Sequence, residues 1–114
     1  MLKVYHNPKC STSRKTLAIL ESKGLEPKVV LYLKTPLNAE QVLGVAEKTG
    51  EPLHALLRER GTPYEELNLG DKKWSDSQLA NFVAEHPVLL NRPIVETSTQ
   101  ARLCRPIERI DEIL

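Results

Sequence analysis

Cys10-Ser11-Thr12-Ser13-Arg14 joins a thiol to the hydroxyl and basic residues that open a helix. It follows a short alternating segment, Leu2-Lys3-Val4-Tyr5-His6, and a polar turn, Asn7-Pro8-Lys9. A thiol at such a junction faces unpaired backbone N–H groups and the positive end of a helix dipole. Both favour the thiolate, which is the nucleophilic form. The pattern therefore points to attack by sulfur. A free cysteine is more commonly a small buried hydrophobe. The polar turn before Cys10, with Lys9 and Arg14 close in sequence, sets this one apart.

Ser13 stands where a C-x-x-C motif carries its second cysteine. With no resolving thiol inside the motif, whatever Cys10 forms must be resolved by Cys104, by a small-molecule thiol or by a partner protein. Ser13 is expected to hydrogen-bond the thiolate, to cap the first turn, or both. His6, at the end of the strand segment, either tunes the thiolate or holds the loop as a structural histidine. Arg58, Arg92 and Arg105 fall at element ends or beside prolines. A guanidinium fork matches two oxygens of a tetrahedral oxyanion. A single arginine is usually a solvated surface residue; three in a chain with a thiolate-type cysteine make a candidate oxyanion site, although spacing alone does not bring them together. Pro93 precedes a strand expected near the start of the first helix; only ~5–6% of X-Pro bonds are cis in folded proteins, and spacing alone does not support a cis bond here. His54, His86 and Trp74 read as packing or surface residues, and Glu65 and Glu66 as part of a solvated face. No C-x₂₋₄-C or H-x₃₋₅-H pair exists, so a zinc site is not expected.

These residues need elements to position them. Leu2–His6 reads as a strand, with a helix after it running through Lys23 and Gly24 as its stop. Lys28–Leu33 is rich in β-formers and reads as a buried strand. The middle is helical. Asn38 and Gln41 come close to a capping box, Gly50 ends that helix, and short helices are expected over Pro52–Glu59 and from Asp76 to His86, with a turn or helix over Pro63–Leu69. Ile94–Thr97 and Ala101–Cys104 flank Ser98-Thr99-Gln100 as a hairpin, and Pro106 is placed to begin a final helix. The order β-α-β, helical insert, β-β-α predicts an α/β chain with a mixed four-stranded sheet, the thioredoxin-like plan.

The 114 residues suit a single domain spanning 1–114. A formal charge of +1 argues against nucleic-acid and membrane-surface partners, which usually demand a basic excess. No basic leader with an apolar run is present, and no stretch approaches the ~20 apolar residues of a membrane span. The expected compartment is the cytoplasm, where thiols stay reduced.

The motif Tyr5-His6-Asn7-Pro8-Lys9-Cys10-Ser11-Thr12-Ser13-Arg14 resembles the opening signature of the glutaredoxin-linked, ArsC-type arsenate reductases. The resemblance continues through Tyr32–Pro36, Ala55–Arg58, Pro63–Leu67, His86–Val95 and Arg102–Pro106, collinearly and over essentially the whole chain. It implies a thioredoxin-like fold with a helical insert, Cys10 as nucleophile, and Arg58, Arg92 and Arg105 as the oxyanion-binding set. It also implies His6 and Ser13 as supports of the thiolate, Pro93 as the cis-proline, and Cys104 as a second cysteine not required for resolution. The implied substrate is arsenate, reduced to arsenite with glutathione as co-substrate and glutaredoxin as partner, and with no bound cofactor. The longer resistance enzymes of that family continue past the final helix; this chain stops at Leu114. Two other readings share the plan. One is a regulator of the Spx type, which binds RNA polymerase and often carries the C-x-x-C switch that Ser13 removes here. The other is a thiol oxidoreductase acting on glutathionylated proteins.

Overall fold

The alternating residues Lys3-Val4-Tyr5 form the first strand, β1 (Lys3–Tyr5). On one side it pairs in parallel with β2 (Lys28–Val30), Val4 opposite Val29. On the other it pairs antiparallel with β3 (Ile94–Glu96), Val4 opposite Val95. β4 (Ala101–Leu103) closes the expected hairpin against β3, and the sheet order is β2-β1-β3-β4. The computed structural model describes all residues, 1–114. It divides into two compact units: Met1–Thr35 with Arg92–Leu114, and Pro36–Asn91.

The first unit carries the sheet. Helix α1 (Ser11–Ser22) connects the parallel pair β1 and β2. Its end is a Schellman turn: Leu25 N–H donates to Leu20 O at 3.1 Å and Gly24 N–H to Glu21 O at 3.0 Å. Gly24 sits at φ 76°, a left-handed conformation that costs glycine little. Leu20 of α1 shares one core with Val4, Val95, Cys104 and Ile110. Burying each large aliphatic side chain contributes roughly 1.5–3 kcal/mol, so this cluster ties α1 and the C-terminal segment to the sheet. All three β3 residues are buried, including Glu96, whose carboxylate accepts a 2.6 Å hydrogen bond from Tyr5. Burial, then the bond to Glu96 and its charge, push the Tyr5 phenol above its ordinary range.

Two expectations for this unit need correcting. The strand read over Lys28–Leu33 ends at Val30, and Lys28 and Val29 are exposed rather than buried. β2 is an edge strand whose only partner, β1, stops at Tyr5. After one further bond from His6 N–H to Val30 O, the chain turns at Leu31, whose carbonyl accepts from Lys34 and Thr35. The final helix is a 3₁₀ segment, Ile107–Glu112, and Pro106 lies just before it. Its contacts favour a short, tight helix: Ile110 is buried in the core, and Glu112 pairs with Arg102 at 2.9 Å on the sheet.

The second unit is helical. α2 (Ala39–Thr49) starts with the anticipated capping box between Asn38 and Gln41, and Gly50 ends it in a left-handed conformation. α3 (Asp76–Glu85) starts with a second box, Ser75 with Gln78. The Pro52–Glu59 helix shortens to a 3₁₀ turn at Leu53–Leu56, and Pro63–Leu69 is a run of turns. Trp74 packs edge-on against Phe82, with ring centres 5.0 Å apart, at the entry to α3.

Candidate active site

Cys10 occupies the N-cap of α1, a position that Ser, Thr, Asp or Asn usually fills. Its carbonyl accepts the first helical bond, from Arg14 N–H at 3.0 Å, while its own N–H donates to Asn7 O at 3.0 Å. The thiol therefore sits on a turn fixed at both ends, 8% exposed. Arg105 Nη1 lies 3.6 Å from Sγ, and the same nitrogen donates to Arg92 O at 3.1 Å. Burial pushes the thiol up. The Ser13 backbone N–H, the hydrogen bond and charge of Arg92, and the bond from Arg105 together outweigh it and hold Cys10 below the ordinary thiol value. A sulfur so placed, beside two guanidinium groups, has the environment in which thiols react as nucleophiles.

Ser13 acts on the sulfur through its main chain, while its hydroxyl is engaged elsewhere. Oγ lies 2.6 Å from His6 Nδ1 and accepts from Asn7 N–H at 3.1 Å. A neutral His6 ring accepts the hydroxyl proton at Nδ1 or donates to Oγ, according to its tautomer. Burial, followed by the charge of Arg14, lowers the His6 pKa and so favours the neutral ring. His6, Ser13 and Asn7 are all buried, so this is a loop lock beneath the thiol. Arg14, anticipated as a charge near Cys10, instead donates to Pro8 O at 2.7 Å and clamps the same loop.

Arg92, Pro93 and Arg105 come to the thiol from the far end of the chain. The Arg92–Pro93 bond is cis, as anticipated, and Pro93 O accepts from Cys104 N–H at 2.9 Å. A second cis bond, Arg105–Pro106, had no distinguishing signal in the sequence. Arg58 belongs to the second unit. Its N–H donates to Leu89 O at 2.7 Å, next to the Leu57–Leu90 bridge. Asn7 is the supporting residue that sequence reasoning overlooked. The Asn-Pro pair is a turn signal, and here Asn7 Oδ1 accepts from Lys9 N–H at 3.0 Å while its carbonyl holds Cys10.

Cys104 is a different kind of thiol. It is fully buried in the core, and burial above all pushes its pKa up to about 11. Iodoacetamide near neutral pH is therefore expected to alkylate Cys10 rapidly and Cys104 only after denaturation. Peptide mapping by mass spectrometry reads this directly, and equal labelling of both in the native protein would contradict the assignment.

A four-stranded mixed sheet, a cysteine at the first helix N-terminus and a cis-proline before β3 define a thioredoxin-like fold. The chain belongs to the ArsC family, whose model matches residues 5–113. It is 47% identical over 111 residues to an arsenate reductase of Escherichia coli, covering 97% of this chain and 79% of that protein. It is 41% identical over 114 residues to the uncharacterized protein YfgD of Escherichia coli strain K12, covering 99% of this chain and 96% of that one. The solved structure of an arsenate reductase from Vibrio cholerae superposes with a TM-score of 0.93 at 46% identity, covering 99% of this chain and 97% of that one. No helix is long and apolar enough to cross a membrane.

Proposed function

We propose that this protein is an arsenate reductase that works through a covalent Cys10–arsenic intermediate, with glutathione as co-substrate and glutaredoxin as electron donor. The observation that carries the proposal is the pair of guanidinium groups, Arg92 and Arg105, at a thiol held below its ordinary pKa. A protein-disulfide exchanger needs the thiolate but no such cation pair. An oxyanion substrate needs both. The names of the relatives supply arsenate as the oxyanion. The family pattern adds Arg58 as a third cation for it.

In this scheme the arginines neutralise arsenate and present arsenic(V) to sulfur. The Cys10 thiolate forms an S–As bond, and one arsenate oxygen leaves as water after protonation. Glutathione forms a second S–As bond as another oxygen leaves as water. A glutaredoxin thiolate then attacks the glutathione sulfur. A disulfide forms, the electron pair of the broken S–As bond passes to arsenic, and arsenic falls from V to III. Hydrolysis of the remaining Cys10–As bond releases arsenite and restores the thiol. The two electrons come from two external thiols, in keeping with Ser13 at the C-x-x-C position. The cycle suits the cytoplasm, where Cys10 stays reduced. NADPH oxidation coupled through glutathione reductase, glutathione and glutaredoxin is expected to rise on adding arsenate and to fall to background when glutaredoxin is left out. An arsenate-independent rate would reject the proposal.

A further inference from the structure

A polar groove of about 330 Å³ opens beside the thiol, lined by Thr12, Lys15, Arg105, Pro106, Ile107 and Glu108. Its volume is near the lower bound of ordinary small-ligand sites, about 300–1,000 Å³. Arg105 forms a wall shared with the catalytic centre, since its Nη1 is 3.6 Å from Cys10 Sγ. Thr12 and Lys15 are three residues apart on α1, so they present to the same face. Opposite them, Pro106 and Ile107 offer apolar surface and Glu108 a carboxylate. The groove thus carries two cationic side chains, one anionic side chain and a short apolar stretch. Lys15, Arg105 and Glu108 are all solvent-exposed, and neither Lys15 nor Glu108 is committed to an ion pair.

We infer that this groove binds the thiol co-substrate, a small zwitterionic thiol with two carboxylates and one ammonium. The charges are complementary in kind. Lys15 receives one carboxylate and Glu108 the ammonium, Arg105 lends the second carboxylate positive charge while its Nη1 faces the arsenate side, and the apolar stem lies along Pro106 and Ile107. Glutathione has this pattern, and Arg105, shared by the groove and the Cys10 thiol, joins the two. The inference rests on the glutathione-dependent reading above. A second groove, lined by His6, Pro8, Lys9, Leu31, Leu33 and Lys34, has only cationic charge beside the buried His6 and lacks a carboxylate for the ammonium.

Two measurements test the assignment. Titrating the reduced protein with S-methylglutathione, which cannot react, is expected to shift the backbone amide resonances of Thr12, Lys15, Ile107 and Glu108. Shifts confined to Lys9 and Leu31–Lys34, or no shifts at all, would overturn it. In the coupled assay, Lys15→Glu and Glu108→Lys are each expected to raise the KM for glutathione about 5-fold, because charge reversal turns an attraction at an exposed site into a repulsion. The KM for arsenate should stay within about twofold, and Lys34→Glu should leave both constants unchanged. An unchanged glutathione KM in both groove variants also overturns the site. If the wild-type protein shows no arsenate turnover, the proposed function fails while the titration still decides the groove.

Discussion

Cys10→Ser is expected to abolish arsenate-dependent turnover, a loss on the order of 10³-fold or more, because it removes the sulfur to which the proposed mechanism assigns the covalent bond. The substitution is unusually clean. Serine is a preferred N-cap residue, so the start of α1 should be as stable as before or slightly more so. A hydroxyl, however, remains protonated where the thiol does not. The Ser13 N–H, Arg92 and Arg105 that stabilise a thiolate would then face a neutral oxygen. Thermal melting should show an intact fold while the coupled assay shows background activity. Cys104→Ala should behave in the opposite way. That thiol is buried among Val4, Leu20, Val95 and Ile110, so its loss leaves a core cavity and lowers the melting temperature, with turnover kept within about twofold. Substantial activity in Cys10→Ser, or its loss in Cys104→Ala, would mean that the wrong sulfur has been assigned.

Arg92→Ala is expected to lower kcat/KM for arsenate by about 10²–10³-fold, the usual result of removing one preorganised donor from developing negative charge. It should also change the pH profile, and the sign is determined. In the native protein, burial raises the Cys10 pKa while Ser13 N–H, Arg92 and Arg105 lower it past the ordinary value. Removing Arg92 deletes both a hydrogen bond and a charge from the lowering side and leaves burial in place, so the thiol pKa rises. Activity that depends on thiolate is lost as pH falls through that pKa, and the acid limb of the profile must move to higher pH. Ultraviolet thiolate absorbance, with Cys10→Ser as blank, should shift in the same direction. Arg92→Lys retains the charge without the fork, and should recover part of the thiol shift but little of the oxyanion binding. An Arg92→Ala enzyme with an unmoved acid limb would remove Arg92 from the thiol's environment.

Much of the site is legible in the sequence because it is local. Cys10, Ser13 and His6 lie within eight residues of one another, and a strand, a polar turn and a helix start can be read from alternation, Asn-Pro and hydroxyl residues. What local reasoning misjudges is how the atoms divide the work. The spacing suggests that Ser13 acts through its hydroxyl, yet the hydroxyl binds His6 and Asn7 while the backbone N–H faces the sulfur. Arg14 reads as a charge near the thiol, and it clamps Pro8 O instead. These outcomes depend on rotamers and on which acceptor lies closest, which spacing does not encode. The shortened β2 has a different cause. Val29 to Leu33 keep their β-propensity, but a strand requires a partner, and β1 ends at Tyr5.

The arginines mark the boundary between the two kinds of information. The sequence by itself determined their chemistry: a fork that grips oxyanions, next to prolines, in a chain with one thiol at a helix start. It also determined, through collinear motifs, the family in which that combination occurs. Only the tertiary structure decided that Arg92 and Arg105, more than eighty residues from Cys10, meet at its sulfur. The physical reason is the sheet. β3 is central and pairs with β1, so Arg92 and Pro93, just ahead of Ile94, lie at the end of β1 where Cys10 follows. β4 pairs with β3 and brings Arg105, two residues past Leu103, back to the same edge. Strand register, which no residue type specifies alone, turns scattered cations into a thiolate site.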